Sequence, residues 1–223
     1  MDEVQFISLV SLLAIVFTVA MFSSGIYTCH KIHVSKSTGV IPHLPFVSGI
    51  LNCALWLAYG SFKDDGTVMT VNFIGLVLYL CYIVVYFVYT TNKSEVKMHT
   101  GVAFLVIMAV IVYSNYFIND NDAVLFRLGL LCNFFTVLFF ASPLSTMAEV
   151  FKTKSTESMS FPLSILSLFV TFLWVIYSYL VDDVFIKIPN FLGLLLALVQ
   201  LMLFAMYWNK KRKLITLELP VVQ

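Results

Sequence analysis

Charge is what this sequence lacks. Of its 223 residues only 11% are Asp, Glu, Lys or Arg, where a soluble domain carries roughly 25%, so the chain cannot cover a water-facing surface. The formal net charge is +1, and no basic face exists to meet phosphates, which argues against a nucleic-acid partner. Cysteine is scarce too. Cys29, Cys53, Cys81 and Cys132 stand singly in or beside apolar runs, without CxxC or metal-ligand spacing, and read as small core residues. No Ser, Cys or His lies in a recognisable nucleophile motif, so an enzyme is not expected. Neither a cofactor nor a metal is expected.

What the chain has in abundance is apolar length. Crossing a hydrocarbon core of ~30 Å takes about 20 apolar residues in a helix. Seven stretches qualify: Phe6–Cys29, Leu44–Phe62, Val68–Thr90, Gly101–Ile118, Ala123–Met147, Phe161–Val181 and Val184–Trp208. Backbone groups cannot stay unpaired in lipid, so each stretch is expected to be a helix despite its Val, Ile and Phe content. The first follows an acidic N-terminus (Asp2, Glu3) and outlasts the apolar region of a signal peptide, so it reads as a retained span. With the N-terminus outside, ten of the thirteen Lys and Arg fall in cytoplasmic segments, leaving Lys63, Arg127 and Lys187 outside. The positive-inside rule selects that orientation, with a cytoplasmic C-terminus. His30, His33, His43 and His99 then lie near the cytoplasmic face and read as surface residues rather than ligands.

The chain also contains itself twice. A shift of 118 residues superposes Lys36-Ser37-Thr38 on Lys154-Ser155-Thr156, Trp56 on Trp174, Tyr59 on Tyr177, Asp64-Asp65 on Asp182-Asp183, and Asn72-Phe73 with Gly75 on Asn190-Phe191 with Gly193. No gap is needed from Phe22/Phe140 to Tyr89/Tyr207. Coincident Trp, Asn and paired Asp do not arise by chance in an apolar chain, so this is an internal duplication. Three spans turn a chain over, and the unpaired fourth span turns it back. The expectation is an all-α integral membrane protein of seven transmembrane helices in a 3+1+3 plan, two parallel three-helix-bundle repeats joined by a linker helix. The repeats are residues 1–97 and 122–208, the linker 98–121 and the tail 209–223. Parallel repeats about an axis along the membrane normal, with substrate held at mid-membrane, are a transporter design.

Trp56 and Trp174 fall in the second and sixth spans. Phe62 back to Trp56 is six residues, or ~9 Å of helix, and Thr67 in to Asn72 is ~8 Å, so the Trp and Asn of each half can share one level. Indole faces suit the C–H faces of a small polyol, and amides both donate to and accept from hydroxyls. Competing readings are an interfacial Trp anchor and an Asn that bonds a neighbouring helix; the pairing of all four across the repeats weighs against both. Asn52 lies one turn before Trp56 on the same face but matches Val170, which makes it an asymmetric contact. Pro45, Pro143 and Pro162 lie at or inside span entrances, where proline removes a donor and kinks a helix.

MFSSG (21–25), KSTG (36–39), LPF (44–46), WLAYG (56–60) and NFIG (72–75) resemble the first half of the SWEET sugar transporters. ASPL (141–144), KSTESMSFPL (154–163) and IPNFLG (188–193) resemble the second half. The resemblance covers residues 6–208 in order and is closer to animal members than to plant ones. It implies facilitative, bidirectional uniport of small sugars, monosaccharides such as glucose, by alternating access in a homo-oligomer at the plasma membrane or Golgi. It maps sugar-contacting positions onto Trp56, Asn72, Trp174 and Asn190, and outer-gate positions onto Tyr59 and Asp183. It also implies four inner-hinge prolines; here Gly25 stands at the first position, with Pro45, Pro143 and Pro162 at the others, Pro162 one place off its match to Pro45.

Two further absences bear on the mechanism. No Asp, Glu or His occupies the middle of a span, which favours a passive carrier over a proton-coupled one. Pro is never followed by Gln, which weakens the alternative of a PQ-loop-like carrier for another polar solute such as an amino acid. A seven-span receptor or scaffold, the remaining alternative, has no reason for two matched halves.

Overall fold

The computed structural model describes residues 2–116 and 120–218, and among the latter the side chains of residue 142 and of 208–218 are not described. The end of the fourth expected span, the tail residues 219–223 and the side chains of the basic tail run therefore lie outside the description. All regular structure among the described residues is helical: α1 (Glu3–Ser35), α2 (Leu44–Lys63), α3 (Gly66–Tyr89), α4 (Lys93–Tyr116), α5 (Asn121–Phe139), α6 (Ala141–Thr153), α7 (Phe161–Leu180) and α8 (Val184–Glu218). Among the described residues seven stretches are long and apolar enough to cross a membrane, α5 and α6 together forming the fifth. Large apolar side chains such as Leu12, Val84, Leu105, Phe134 and Met202 remain exposed on the helix surfaces, as lipid-facing side chains are.

The fold differs from the span-by-span expectation in two ways. First, the fifth span is broken at Phe140, whose N–H reaches only three residues back, to Val137 O at 3.0 Å. Pro143 accounts for the break, because its ring nitrogen has no proton for the carbonyl of Phe139. Second, α4 begins at Lys93, eight residues before the apolar run. Its first turn is set by Asn92, which accepts from Glu95 N at 3.4 Å while its amide donates to the Glu95 carboxylate. Hydropathy marks only the lipid-crossing part of a helix, so this polar overhang is invisible to it.

The chain forms two compact units, residues 1–136 and 137–223, with the boundary near the end of α5. In the first, α3 packs against both α1 and α2, and α4 packs on α2. In the second, α8 packs against both α6 and α7. The third helix of each repeat is thus the central one.

Glycine makes that centre possible. A Cβ on Gly75 of α3 would meet Phe22 of α1 at 2.5 Å and Cys53 Sγ of α2 at 2.8 Å. A Cβ on Gly193 of α8 would meet Thr171 at 2.9 Å and Phe140 at 3.3 Å. Phe22/Phe140, Cys53/Thr171 and Gly75/Gly193 are all pairs at the 118-residue offset. The two units therefore repeat the same three-way junction, residue for residue.

The connecting turns repeat as well. Lys36 (φ 52°) and Lys154 (φ 54°) end α1 and α6 in the left-handed region, and Asp64 (φ 58°) and Asp182 (φ 47°) adopt it after α2 and α7. The second Asp of each pair then caps the next helix. Asp65 accepts from Thr67 N and Val68 N at 3.0 Å, and Asp183 from Phe185 N and Ile186 N at 2.9 and 3.1 Å. An Asp-Asp pair suits this turn: the first tolerates positive φ, and the second satisfies orphan N–H groups.

Candidate functional site

Both indoles are packed inside the protein. Trp56 is 8% exposed and Trp174 7%, where an interfacial anchor would display its ring. Each meets the tyrosine three residues on, edge to face: Trp56 with Tyr59 at 5.5 Å and Trp174 with Tyr177 at 5.4 Å between ring centroids. The helix supplies that pairing, since residues i and i+3 share a face.

The asparagines repeat one another too. Asn72 Nδ2 donates to Val68 O and Asn190 Nδ2 to Ile186 O, each at 2.8 Å and each one turn back along its own helix. One amide proton is so committed, which fixes the side-chain rotamer and leaves the amide oxygen and second proton for another group. Asn72 is buried and Asn190 half-buried. Pro189, buried immediately before Asn190, lies inside α8 and withholds a hydrogen bond from the Phe185 carbonyl; proline's reach into this helix was not anticipated.

Asn52 is joined to Trp56 by a residue that sequence reasoning missed. Thr136 of α5 receives the Trp56 Nε1 proton at 3.0 Å and gives its own hydroxyl proton to Asn52 Oδ1 at 2.9 Å. The hydroxyl uses its donor and one acceptor site at once, which holds indole and amide in fixed orientation. The clue was available, because Thr136 and Thr18 also match at the 118-residue offset. One turn before Thr136, the amide oxygen of Asn133 is buried without a hydrogen-bond partner. Such an acceptor costs about 1–3 kcal/mol unless something supplies a proton. Asn133 matches Ile15, so the duplication gave no hint of it.

The remaining predicted residues have clear local roles. Tyr59 is almost fully buried beside Trp56, and Asp183, also almost fully buried, caps α8 as described. Pro45 and Pro162 both occupy the first turn of their helices, where a missing N–H costs nothing. They hold the same place relative to the helix start even though they are one residue out of register in sequence. Gly25 does not interrupt α1; an added Cβ there would collide with the ring of Tyr82, whose hydroxyl donates to Phe22 O at 3.0 Å. Pro143 is the one of the four that coincides with a break between helices. A groove of ≈430 Å³ between the end of α1 and α3, with His30 and His33 in its wall, contains none of the paired Trp and Asn residues.

Comparison with known proteins places these features. A family described as "sugar efflux transporter for intercellular exchange" matches the chain twice, over residues 8–94 and 126–212, two segments related by the same 118-residue shift. The sugar transporter SWEET1 of Drosophila pseudoobscura pseudoobscura is 40% identical over 200 residues, covering 89% of this chain and 88% of that protein. The SWEET1 proteins of Danio rerio and Mus musculus are each 36% identical over 200 residues, covering 90% of this chain and 91% and 90% of theirs. Among solved structures, a eukaryotic SWEET transporter determined at 3.7 Å superposes with a TM-score of 0.86 at 31% identity, covering 91% of this chain and 97% of that one.

Proposed function

The chain belongs to the SWEET family, and on that premise we propose that it carries small sugars, monosaccharides such as glucose, across a membrane as a bidirectional uniporter working by alternating access. The observation that supports this reading is the repeated recognition set: each unit supplies one buried indole and one half-committed amide, in the same local geometry. Trp56 and Trp174 offer flat apolar area to the sugar's C–H faces, and Asn72 and Asn190 accept from and donate to its hydroxyls. Asn52, oriented by Thr136, and the unsatisfied oxygen of Asn133 add acceptors whose matches at the 118-residue offset, Val170 and Ile15, are apolar. Such an addition suits an asymmetric solute.

The absence of Asp, Glu and His from mid-span supports transport that follows the concentration gradient. Pro143 and the break at Phe140 provide a place to bend, with Gly25, Pro45 and Pro162 as the remaining inner hinges and Tyr59 and Asp183 as the outer gate. The working repeats are residues 1–97 and 122–208, joined by 98–121. The protein sits in the plasma membrane as a homo-oligomer, with its N-terminus outside and its C-terminus in the cytoplasm, as the distribution of Lys and Arg favours.

Counterflow of labelled glucose into liposomes holding the purified protein tests the proposal. Accumulation against unlabelled glucose without any pH gradient is the expected result. A requirement for a proton gradient would exclude uniport, and exchange of amino acids in place of hexoses would return the PQ-loop alternative.

A further inference from the structure

Among the described residues, one group of three metal-ligating side chains lies close enough to share an ion: His43, Glu95 and His99, with ligand atoms all within 4.8 Å of one another. His43, expected as a surface residue, is only 8% exposed. It stands at the start of α2 and makes no capping bond with its side chain, so the ring is turned to another purpose. Its Nε2 lies 2.7 Å from Nδ1 of His99 on α4, and the two rings stack at 5.0 Å with 17° between their planes. Glu95 is one turn before His99 on the same face of α4, its carboxylate steadied by Asn92.

Two imidazole nitrogens that face each other share one electrophile between them, either the N–H proton of a neutral ring or a metal ion. The nearest lysines of α4 do not fill that place: the ammonium groups of Lys93 and Lys97 lie 5.6 and 5.7 Å over the ring of Phe87. The duplication sharpens the point. At the 118-residue offset His43 matches Phe161 and Tyr86 matches Phe204; His43 is in ring contact with Tyr86 at 5.8 Å, and Phe161 with Phe204 at 5.1 Å. Phenylalanine thus satisfies the packing in the second unit. Histidine in the first supplies something that packing does not require, and it supplies it towards α4, the helix without a counterpart.

We propose that His43, Glu95 and His99 bind a divalent cation of the borderline class, of which Zn²⁺ fits best. Two imidazoles and one carboxylate are a three-ligand zinc set that leaves the fourth tetrahedral position for water. Zinc–nitrogen bonds of about 2.0–2.1 Å at a tetrahedral angle set the two nitrogens about 3.3 Å apart, so the rings separate slightly to admit the ion. The bound ion ties the start of α2, two residues before Pro45, to the start of α4. If the proposed transport cycle moves the start of α2, the ion slows it; this consequence rests on the transport reading, whereas binding does not.

The test uses the full-length protein in detergent and in sealed liposomes, with Zn²⁺ as the probe. Wild type should retain one zinc per chain through gel filtration at micromolar free metal. His43→Phe, which installs the ring that the second unit carries, and His99→Ala should each lose it. Glu95→Gln, which replaces a charged ligand by a neutral one, should weaken it about tenfold or more, and His33→Ala, at an exposed ring bonded to Tyr89, should leave it unchanged. Zinc should slow glucose counterflow in wild type and spare His43→Phe, with chelator reversing the effect. Equal zinc content in wild type, His43→Phe and His99→Ala, or none in wild type, overturns the site. Zinc bound as expected by a protein that moves no sugar leaves the site standing and removes the transport reading instead.

Discussion

Thr136 and Trp56 share a hydrogen bond of 3.0 Å that joins α5 to α2, and the same threonine hydroxyl continues to Asn52. The indole of the first unit is therefore oriented by a residue outside the set that the duplication had singled out most plainly.

Thr136→Val keeps the side-chain shape and removes both bonds. Leaving the buried indole N–H and the Asn52 amide oxygen unpaired should cost about 1–3 kcal/mol, read as a lower apparent Tm in detergent. Sugar uptake should fall with it, and combining Trp56→Phe with Thr136→Val should cost less than the sum of the two single losses, because both remove the same indole bond.

Asn72→Ala and Asn190→Ala should each abolish glucose uptake while expression and assembly remain normal. The committed proton of each amide bonds only to its own helix, so little stability is at stake. Wild-type counterflow in either variant would remove that residue from the site.

Asn133→Leu separates a binding role from a structural one. Replacing a buried acceptor that has no partner by an apolar group is neutral or stabilising, so the apparent Tm should hold or rise. If the oxygen accepts from the sugar, KM should increase at the same time. An unchanged KM would show that the sugar does not use it.

Gly75→Ala should destabilise more than Gly193→Ala. The first forces a methyl group against both a ring carbon at 2.5 Å and a sulfur at 2.8 Å, whereas the second has a single close neighbour at 2.9 Å. Overpacking of this kind costs about 1–3 kcal/mol, and thermal unfolding of the two variants side by side in detergent measures the difference.

The helical spans, their number and their pairing at 118 residues were readable because hydropathy and self-similarity are properties of the chain alone. The local geometry of the site was partly readable for the same reason: Asn72 and Asn190 bond within their own helices, and Trp56 and Trp174 meet tyrosines three residues away. What escaped is contact between distant segments. The Thr136–Asn52 bond spans 84 residues and the His43–His99 pair 56, and nothing in either local pattern points to the partner. The break at Phe140 escaped for a different reason. Pro143 was recognised as a source of bending, but a hydrophobic run reads the same whether its helix is whole or interrupted.

The placement of α3 between α1 and α2 has a consequence for how the protein is made. A ribosome delivers α1 and α2 before α3 exists, and those two helices meet chiefly through the one still missing. The two helices therefore wait in the membrane as an unfinished pair until the third span brings Gly75 between Phe22 and Cys53 and locks them. The same wait recurs 118 residues later, when α8 completes the second unit.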